Sequence, residues 1–299
     1  MTPLEQLVSQ AGPQRPLLCL EVNPPRGASL DGVFARLDGK LEGIDLLNVT
    51  DCALAKMRFG ALPFASILKQ RYKLESLVNL SCRDRNIIAL QGDLLAGWAT
   101  GVRAIVALTG DAVSIGDFPD SKGVFEINSV GLLHLISTLN SGKDLAGNEL
   151  TGATAFVPGA VVNPNVKNVN AELRRLAKKK DAGATFALSQ PVFDVESSSE
   201  FFREAQKIGI KLFVGLMGFK SRASVGALSK IPGIKVPDNI LSAAQDSQRE
   251  DLSEFSIEQA LRVAEGTRPY VAGFHVISGA TPKLAIQLAG RLADYIKRI

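Results

Sequence analysis

The sequence predicts an α/β protein, a closed (βα)8 barrel of the TIM type that forms a single domain over residues 1–299. The main observation is alternation: short apolar runs rich in β-branched residues are each followed by an amphipathic stretch, and eight such pairs follow one another. Continuous apolar strands are typical of parallel strands covered on both faces. A barrel of eight units takes about 250 residues plus insertions, which agrees with this chain length.

The predicted elements are evenly spaced along the chain. Strands are expected at residues 17–22, 44–50, 77–82, 102–108, 154–162, 185–189, 211–216 and 270–277. Helices are expected at residues 30–37, 53–70, 86–98, 129–139, 169–182, 198–208, 222–230 and 283–296. Two insertions, at 111–128 and 235–253, break this rhythm, and the second is expected to hold an extra helix. Long loops in compact domains are often functional lids.

A doubly wound sheet is the alternative fold. Such a sheet usually carries a G-x-G-x-x-G turn after an early strand, and none follows a predicted strand here. The number of units and the missing turn therefore favour the barrel.

Composition argues against several classes of protein. The net charge is +4, from 34 basic and 30 acidic residues spread along the chain, which does not indicate a nucleic-acid surface. No apolar run is long enough to span a bilayer, and residues 1–16 lack a signal-peptide pattern, so a cytoplasmic location is expected. The three cysteines are scattered and the two histidines lie far apart, so we expect no metal site.

Polar residues cluster at the predicted carboxyl ends of six strands, where barrel enzymes carry their chemistry. Glu21 stands within an apolar strand, and burial there would raise its pKa and suit it to proton transfer. The alternative for Glu21 is a bond to a lysine or arginine on a neighbouring strand. Asp111 follows a Thr-Gly turn and could stabilise a cationic ring; alternatively, it is a capping or turn residue.

Two further residues are candidates for ligand binding. Gln190 ends the sixth strand and offers an amide donor and acceptor to a heterocycle edge, or else fixes the next loop. Lys179 lies near Arg175 and Lys178, and such a cluster could hold a cofactor phosphate. The residues alone favour a solvated helix face for Lys179.

These motifs, in order from about residue 17 to 289, resemble those of the methylenetetrahydrofolate reductase family. Glu-Val-Asn-Pro-Pro at 21–25 is similar to the family's Glu-x-x-Pro-Pro, and Ala-Leu-Thr-Gly-Asp at 107–111 to its Ala-Leu-x-Gly-Asp. The run from Asp181 through Gln190 to Asp194 is similar to its Ala-Gly-Ala, Gln and Phe-Asp elements. The stretches 81–86, 116–120 and 231–237 resemble one branch, in which the reductase is fused to a homocysteine methyltransferase or works beside methyltransferase partners.

The resemblance implies hydride transfer from NAD(P)H, through a bound flavin, to 5,10-methylenetetrahydrofolate, or the reverse reaction. FAD is the expected flavin, with FMN or flavin-free transfer as alternatives. Glu21 matches the catalytic proton donor, Asp111 the catalytic carboxylate that meets the pterin and tunes the flavin, and Gln190 a substrate-binding residue. The implied cofactor-binding residues are Thr50, Asp51, Ser81, Thr109, Gly110, Asp111, Asn163, Arg175 and Lys179.

The sequence also departs from the family. Asn79 and Asn163 stand where well-known members carry histidines, and residues 278–281 do not match an arginine used there for the substrate. Two other functions stay open: a pterin-binding methyl-carrier barrel, and a non-catalytic or flavin-poor subunit that docks a partner. The expected partners are the folate substrate, a methyltransferase or electron-transfer subunit, and further copies in an oligomer, with neither nucleic acid nor membrane.

Overall fold

The strands close into a barrel, which confirms the predicted fold. The structure, a computed structural model, describes residues 2–231, 233–246 and 251–299. Within these residues, eight parallel strands are each hydrogen-bonded to the next, and the last pairs with the first. The strands are β1 Leu17–Val22, β2 Leu46–Val49, β3 Glu75–Ser81, β4 Ala104–Leu108, β5 Val157–Val162, β6 Phe186–Pro191, β7 Lys211–Met217 and β8 Gly273–Ile277.

Helices alternate with the strands and cover the outside of the barrel. They are α1 Pro3–Gln10, α2 Asp31–Leu37, α3 Ala61–Tyr72, α4 Ile87–Ala99, α5 Ser129–Asn140, α6 Val169–Asp181, α7 Val195–Gln206, α8 Arg222–Leu228, α9 Asp238–Asp246, α10 Ser253–Thr267 and α11 Pro282–Ile296. Short 3₁₀ turns lie at Ala53–Ala55, Val113–Ile115 and Arg268–Tyr270. Among the described residues, no helix has both the length and the apolar character needed to cross a lipid bilayer.

Alternation along β1 shows how the sequence places its polar group. Leu18 and Leu20 belong to the large apolar core between the barrel and the helices. Leu17 and Cys19 belong to a smaller core inside the barrel. Because side chains alternate with a period of two along a strand, the next inward position is Glu21. The strand therefore sets a carboxyl group at the inner rim of the barrel.

Two aromatic rings fill the amino-terminal half of the barrel interior. Phe186 and Phe213 meet edge to face, with their ring centroids 6.0 Å apart. Two glycines make room for them. A Cβ atom at Gly159 would lie 2.2 Å from Cζ of Phe186, and one at Gly273 would lie 2.7 Å from Cε1 of Phe213. The apolar face of α1 joins the same cluster and covers this end of the barrel.

The helix that covers the seventh strand differs from the prediction. The sequence assigned it to residues 222–230, but α8 in that region is short. Instead α10 packs against β7, α7 and α11 and takes the place of the seventh barrel helix. Its buried positions include Ile257, Ala260, Val263 and Ala264, a spacing typical of a helix lying on an apolar surface. Neither α10 nor α1 was predicted.

The second insertion agrees in part with its prediction. The extra helix expected within residues 235–253 is α9, which ends at Asp246. Residues 247–250 of this insertion lie outside the described residues. So does Pro232, which belongs to the motif at 231–237.

The helix predicted at residues 53–70 begins only at Ala61. Before it, Cys52, Leu54 and Ala55 adopt left-handed backbone conformations, with φ of 44°, 56° and 54°. Residues with a Cβ atom rarely take this conformation, and it persists where the surrounding structure holds it. We call residues 51–58 the β2 loop. Hydrogen bonds to Asp111 and Asp117, in the insertion after β4, hold it at the barrel mouth.

Candidate active site

A cavity of about 370 Å³ opens at the carboxyl ends of the strands. This is the end of a (βα)8 barrel that carries active sites, and the volume is within the range of roughly 300–1,000 Å³ typical of small-molecule sites. Most of the predicted site residues line this one cavity, although they come from different strands. They are Glu21, Thr50, Asp51, Ser81, Thr109, Gly110, Asp111, Lys179 and Gln190.

Glu21 is held at the rim by the segment that follows β8. Its Oε1 atom accepts hydrogen bonds from the Ser278 backbone N–H at 3.1 Å, the Ser278 hydroxyl at 3.0 Å and the Gly279 N–H at 3.2 Å. All these donors reach the same oxygen, which leaves Oε2 to carry a proton. The alternative of a lysine or arginine partner for Glu21 does not occur in the described part of the chain.

Burial raises the pKa of Glu21 above its ordinary value, although the hydrogen bonds from Ser278, Gly279 and Asn23 act in the opposite direction. Desolvation outweighs them because it penalises the charged form of a carboxyl enclosed by the barrel. A raised pKa keeps the acid form present at higher pH, which is what a proton donor requires.

A chain of side-chain hydrogen bonds connects three strand ends to this carboxyl. The Thr50 hydroxyl donates to Oδ1 of Asn23 at 2.6 Å, and Nδ2 of Asn23 donates to Oγ of Ser278 at 2.8 Å. Ser278 in turn donates to Glu21. Each member of this chain fixes the direction in which the next one donates its hydrogen bond. The chain therefore holds the Glu21 carboxyl in position at the cavity. Sequence analysis did not identify Asn23 or Ser278 as functional.

Asp111 lies on the same cavity, at the start of the insertion after β4. Its Oδ2 atom accepts a hydrogen bond from the Leu54 N–H at 2.8 Å, so it holds the left-handed part of the β2 loop. The preceding Gly110 has φ of 101°, and a Cβ atom there would lie 2.3 Å from Oγ of Ser81. Glycine at this position therefore allows the turn to approach β3 closely.

Asp117 makes a second tie between these loops. Its Oδ2 atom accepts a hydrogen bond from the Met57 N–H at 3.1 Å, and it also pairs with Arg26. The insertion after β4 and the β2 loop therefore form one side of the cavity mouth.

Asp51 is buried in the wall of the cavity, with its side chain 2% exposed. It pairs with Nη1 of Arg85 at 2.7 Å and accepts a hydrogen bond from the Ser81 N–H at 2.9 Å. Arg85 also pairs with Asp93 on α4. The Asp51 carboxylate thus joins the ends of β2 and β3 through a buried ion pair.

The expectation that Lys179 lies on a solvated helix face was wrong. Its side chain reaches from α6 into the cavity, where Nζ donates to the Val161 carbonyl at 2.7 Å, and burial lowers its pKa. Arg175 points elsewhere: it is 66% exposed and pairs with Glu172 at 3.0 Å. Asn163, whose N–H donates to Glu172, does not line the cavity either.

An irregularity in β6 brings Gln190 to the cavity. The register between β6 and β7 shifts between Leu188 and Pro191, and Ser189 and Gln190 both line the cavity although they are adjacent in sequence. The Ser189 hydroxyl accepts the Gly215 N–H at 2.8 Å, so a side chain compensates for the interrupted ladder. Such irregularities re-aim side chains next to functional sites.

His275 and Asn48 form a polar floor that sequence analysis missed. His275 is 5% exposed, and neither ring nitrogen has a hydrogen-bond partner among the described residues. Asn48 donates to Oδ1 of Asn79 at 3.0 Å, but its own Oδ1 is equally without a partner there. Buried polar atoms are normally paired, so these fit the polar edge of a bound heterocycle. Their inward position on β8 and β2 could have been found from the period of two.

Burial lowers the pKa of His275 to about 4, below the ordinary 6.5. Between these values the unfolded chain binds a proton that the native protein does not, so stability falls as pH drops through this window. The free energy of unfolding changes by up to about 1.4 kcal/mol per pH unit in this window. His275→Gln is expected to remove this slope in urea unfolding measured from pH 7 to 4. The contribution of Glu21 to this slope has the opposite sign, because its pKa is raised. Glu21 is present in every protein compared, so its contribution does not affect the comparison.

His134, exposed on α5, is the only other histidine of the chain and gives the matched control. His134→Gln should leave the wild-type slope in place. An unchanged slope in His275→Gln would contradict a buried neutral His275.

The described residues contain no group of three or more His, Cys, Asp or Glu side chains arranged to hold a metal ion. A barrel whose mouth gathers a protonatable carboxyl, a second carboxylate, an amide and a buried lysine around a ligand-sized cavity belongs to the class of (βα)8-barrel enzymes.

Comparison with known proteins identifies the family. The model of the family described as "Methylenetetrahydrofolate reductase" matches residues 6–287. The chain therefore belongs to the methylenetetrahydrofolate reductase family, a family of oxidoreductases.

Curated relatives agree with this assignment. The 5,10-methylenetetrahydrofolate reductases of Salmonella typhimurium and Escherichia coli K12 are each 28% identical over 221 residues, which is 73% of this chain and 69% of theirs. A Caenorhabditis elegans protein named "Probable methylenetetrahydrofolate reductase (NADPH)" is 23% identical over 66% of this chain. That match spans 30% of the length of the C. elegans protein.

Solved structures share the fold. A Clostridium thermocellum protein that binds two copies of 5-methyl-5,6,7,8-tetrahydrofolic acid has a TM-score of 0.67 at 14% identity, over 98% of this chain and 100% of that one. Tryptophan synthase from M. tuberculosis has a TM-score of 0.52, also at 14% identity, over 99% of this chain and 100% of that one. At this identity the likeness concerns the fold alone.

Proposed function

We propose that this protein is a methylenetetrahydrofolate reductase, which adds hydride to 5,10-methylenetetrahydrofolate to give 5-methyltetrahydrofolate, or runs the reverse reaction. One observation carries the proposal. In a chain of this family, a carboxyl with a raised pKa, Glu21, and a second carboxylate, Asp111, line one cavity at the barrel mouth.

The cavity residues fit a flavin. The unpaired polar atoms of His275 and Asn48 suit a ring edge with donors and acceptors, and Gly110 leaves the backbone open for close approach. Thr50, Thr109 and Lys179 line the same cavity, and we assign them to hold the flavin or its chain. A bound flavin would supply the hydride, after its reduction by NAD(P)H or by electrons from a partner carrier together with a proton from solvent. FAD is the expected form and FMN the alternative.

Glu21 acts on the substrate at the methylene bridge. In the reductive direction its Oε2 proton passes to N10 of the folate, the bond between the bridge carbon and N10 breaks, and the electron pair stays on N10. The bridge carbon is then part of an iminium ion with N5, which is the acceptor for hydride. Burial supports this role because it keeps the acid form of Glu21 available.

Asp111 stabilises the positive charge that forms at the bridge. An ionised carboxylate beside a developing cation favours the iminium over its neutral precursor, and such preorganised charges make large contributions to rate. The Leu54 N–H bond fixes the position of this carboxylate before substrate binds. Gln190 presents its amide to the pterin edge.

The proposal is tested with the purified protein in two separate half-reactions. Bound flavin is identified by its absorbance near ~450 nm and by release and chromatography. Stopped-flow absorbance then follows flavin reduction by NAD(P)H and its reoxidation by methylenetetrahydrofolate. The expected result is reoxidation with formation of 5-methyltetrahydrofolate. A protein that stays colourless when flavin is added, or a reduced flavin that folate does not reoxidise, would contradict the proposal.

The methyltransferase or electron-transfer partner, the oligomer and the cytoplasmic location stay predictions. So does the choice of the branch in which the reductase works beside methyltransferases. They concern surfaces and surroundings outside the cavity.

A further inference from the structure

A second cavity, of about 260 Å³, adjoins the first and shares Glu21 with it. It lies between the end of β1, α2, the β2 loop and the segment that leads from β8 into α11. Its volume is below the range of roughly 300–1,000 Å³ of complete ligand sites. The second cavity therefore suits one part of a ligand whose remainder occupies the first.

Two arginines, Arg36 on α2 and Arg58 on the β2 loop, line the second cavity. Both are half-buried, and neither guanidinium has a hydrogen bond or ion pair within residues 2–231, 233–246 and 251–299. By contrast, the nearby Arg26 and Arg83 each have an aspartate partner. Guanidinium groups recognise carboxylates through paired, charge-assisted hydrogen bonds, so these two are free to bind an anionic ligand.

The other walls of the second cavity define the rest of the ligand. Val33, Leu37 and Ile286 give it an apolar side, which lowers the local dielectric constant and strengthens the attraction of the arginines for an anion. Its one acidic residue is Glu21, whose Oε1 atom is already bound to Ser278 and Gly279. The cavity therefore favours a group that is apolar in its body and anionic at its end.

We infer that Arg36 and Arg58 bind the glutamate carboxylates of the folate substrate, while its aminobenzoyl ring lies against the apolar wall. This inference rests on the proposed function. If Glu21 delivers its proton to N10, then N10 lies at the junction of the two cavities. The pterin then extends into the first cavity, and the aminobenzoyl-glutamate on the other side of N10 extends into the second. The tail of the substrate thus reaches two unpaired cations.

The test compares 5-methyltetrahydrofolate with 5-methyltetrahydropteroamide, in which an uncharged carboxamide replaces the glutamate. Kd is measured by titration of the flavin-loaded protein for wild type, Arg36→Met and Arg58→Met. Each variant is expected to bind 5-methyltetrahydrofolate roughly 10-fold or more weakly, which is the effect of losing a hydrogen bond to a charged group. Binding of the uncharged pteroamide, and flavin reduction by NAD(P)H, should be unchanged.

Arg298→Met is the matched control, since Arg298 is exposed just after α11, whose carboxyl end lies at the opposite end of the barrel. Wild type alone already tests the inference, because it should prefer the glutamate-bearing ligand. Equal affinity for the two ligands, equal losses for both in the variants, or an effect confined to the nicotinamide nucleotide would overturn it. If wild type neither binds nor oxidises either ligand, the proposed function itself fails.

Discussion

Replacing Glu21 by glutamine is expected to slow the folate half-reaction by a factor of roughly 10²–10⁴, the usual contribution of general acid–base catalysis. Glutamine has the same shape, and its amide oxygen can keep the hydrogen bonds from Ser278 and Gly279. Its NH₂ group cannot give up a proton to N10. Flavin reduction by NAD(P)H needs no such proton from residue 21 and should proceed at the wild-type rate. Stopped-flow measurement of each half-reaction gives the two rates directly.

The pH profile adds a second readout for Glu21. Because the pKa of Glu21 is raised, the wild-type folate half-reaction in the reductive direction should persist above the pH at which an ordinary glutamate ionises, and decline at higher pH as the acid form is lost. Glu254→Gln, on the exposed face of α10, is the control and should show neither effect. Equal losses in both half-reactions of Glu21→Gln would instead indicate a structural role for this residue.

Replacing Arg85 by methionine is expected to destabilise the protein by about 3–5 kcal/mol, the range seen when one partner of a buried ion pair is removed. Without Arg85, the buried Asp51 carboxylate keeps the Ser81 N–H as its one hydrogen-bond donor among the described residues. One neutral donor does not compensate a charge in that position. Urea unfolding at pH 7, followed by circular dichroism, measures the free energy of unfolding.

Two further variants isolate the ion pair. Arg291→Met breaks an exposed pair with Glu254 and should give no measurable change. The double variant Asp51→Asn with Arg85→Met removes both charges and should recover much of the lost stability, because no charge is left buried alone. An Arg85→Met protein as stable as the Arg291→Met protein would contradict a stabilising role for this pair.

The barrel was predictable because each strand can be recognised from its own apolar run. Each of the eight apolar runs forms a strand close to where the sequence placed it, and β1 agrees at both ends. The helix after β7 was not predictable in this way. Residues 222–230 and α10 both have helical patterns, and only packing against β7 and α11 decides which of them covers the barrel.

The candidate site was predictable where residues lie at strand ends. Glu21 and Asp111 line the cavity because chain direction and alternation alone bring strand ends together. The direction in which Lys179 points depends on how α6 packs on the barrel, so its sequence neighbours Arg175 and Lys178 were misleading. Ser278 carries no motif of its own. It was not predictable because its hydrogen bonds to Glu21 join the ends of β8 and β1, which are distant in sequence.

The phenylalanine pair at the bottom of the barrel has a kinetic consequence. With Phe186 and Phe213 fitted into the spaces beside Gly159 and Gly273, and α1 beneath them, the described part of the chain provides no rear exit. A molecule bound at the mouth must leave through the same opening by which it entered. Two reactants that bind in the same cavity must therefore bind one after the other. The rate at which the first dissociates sets an upper limit on the rate at which the second binds.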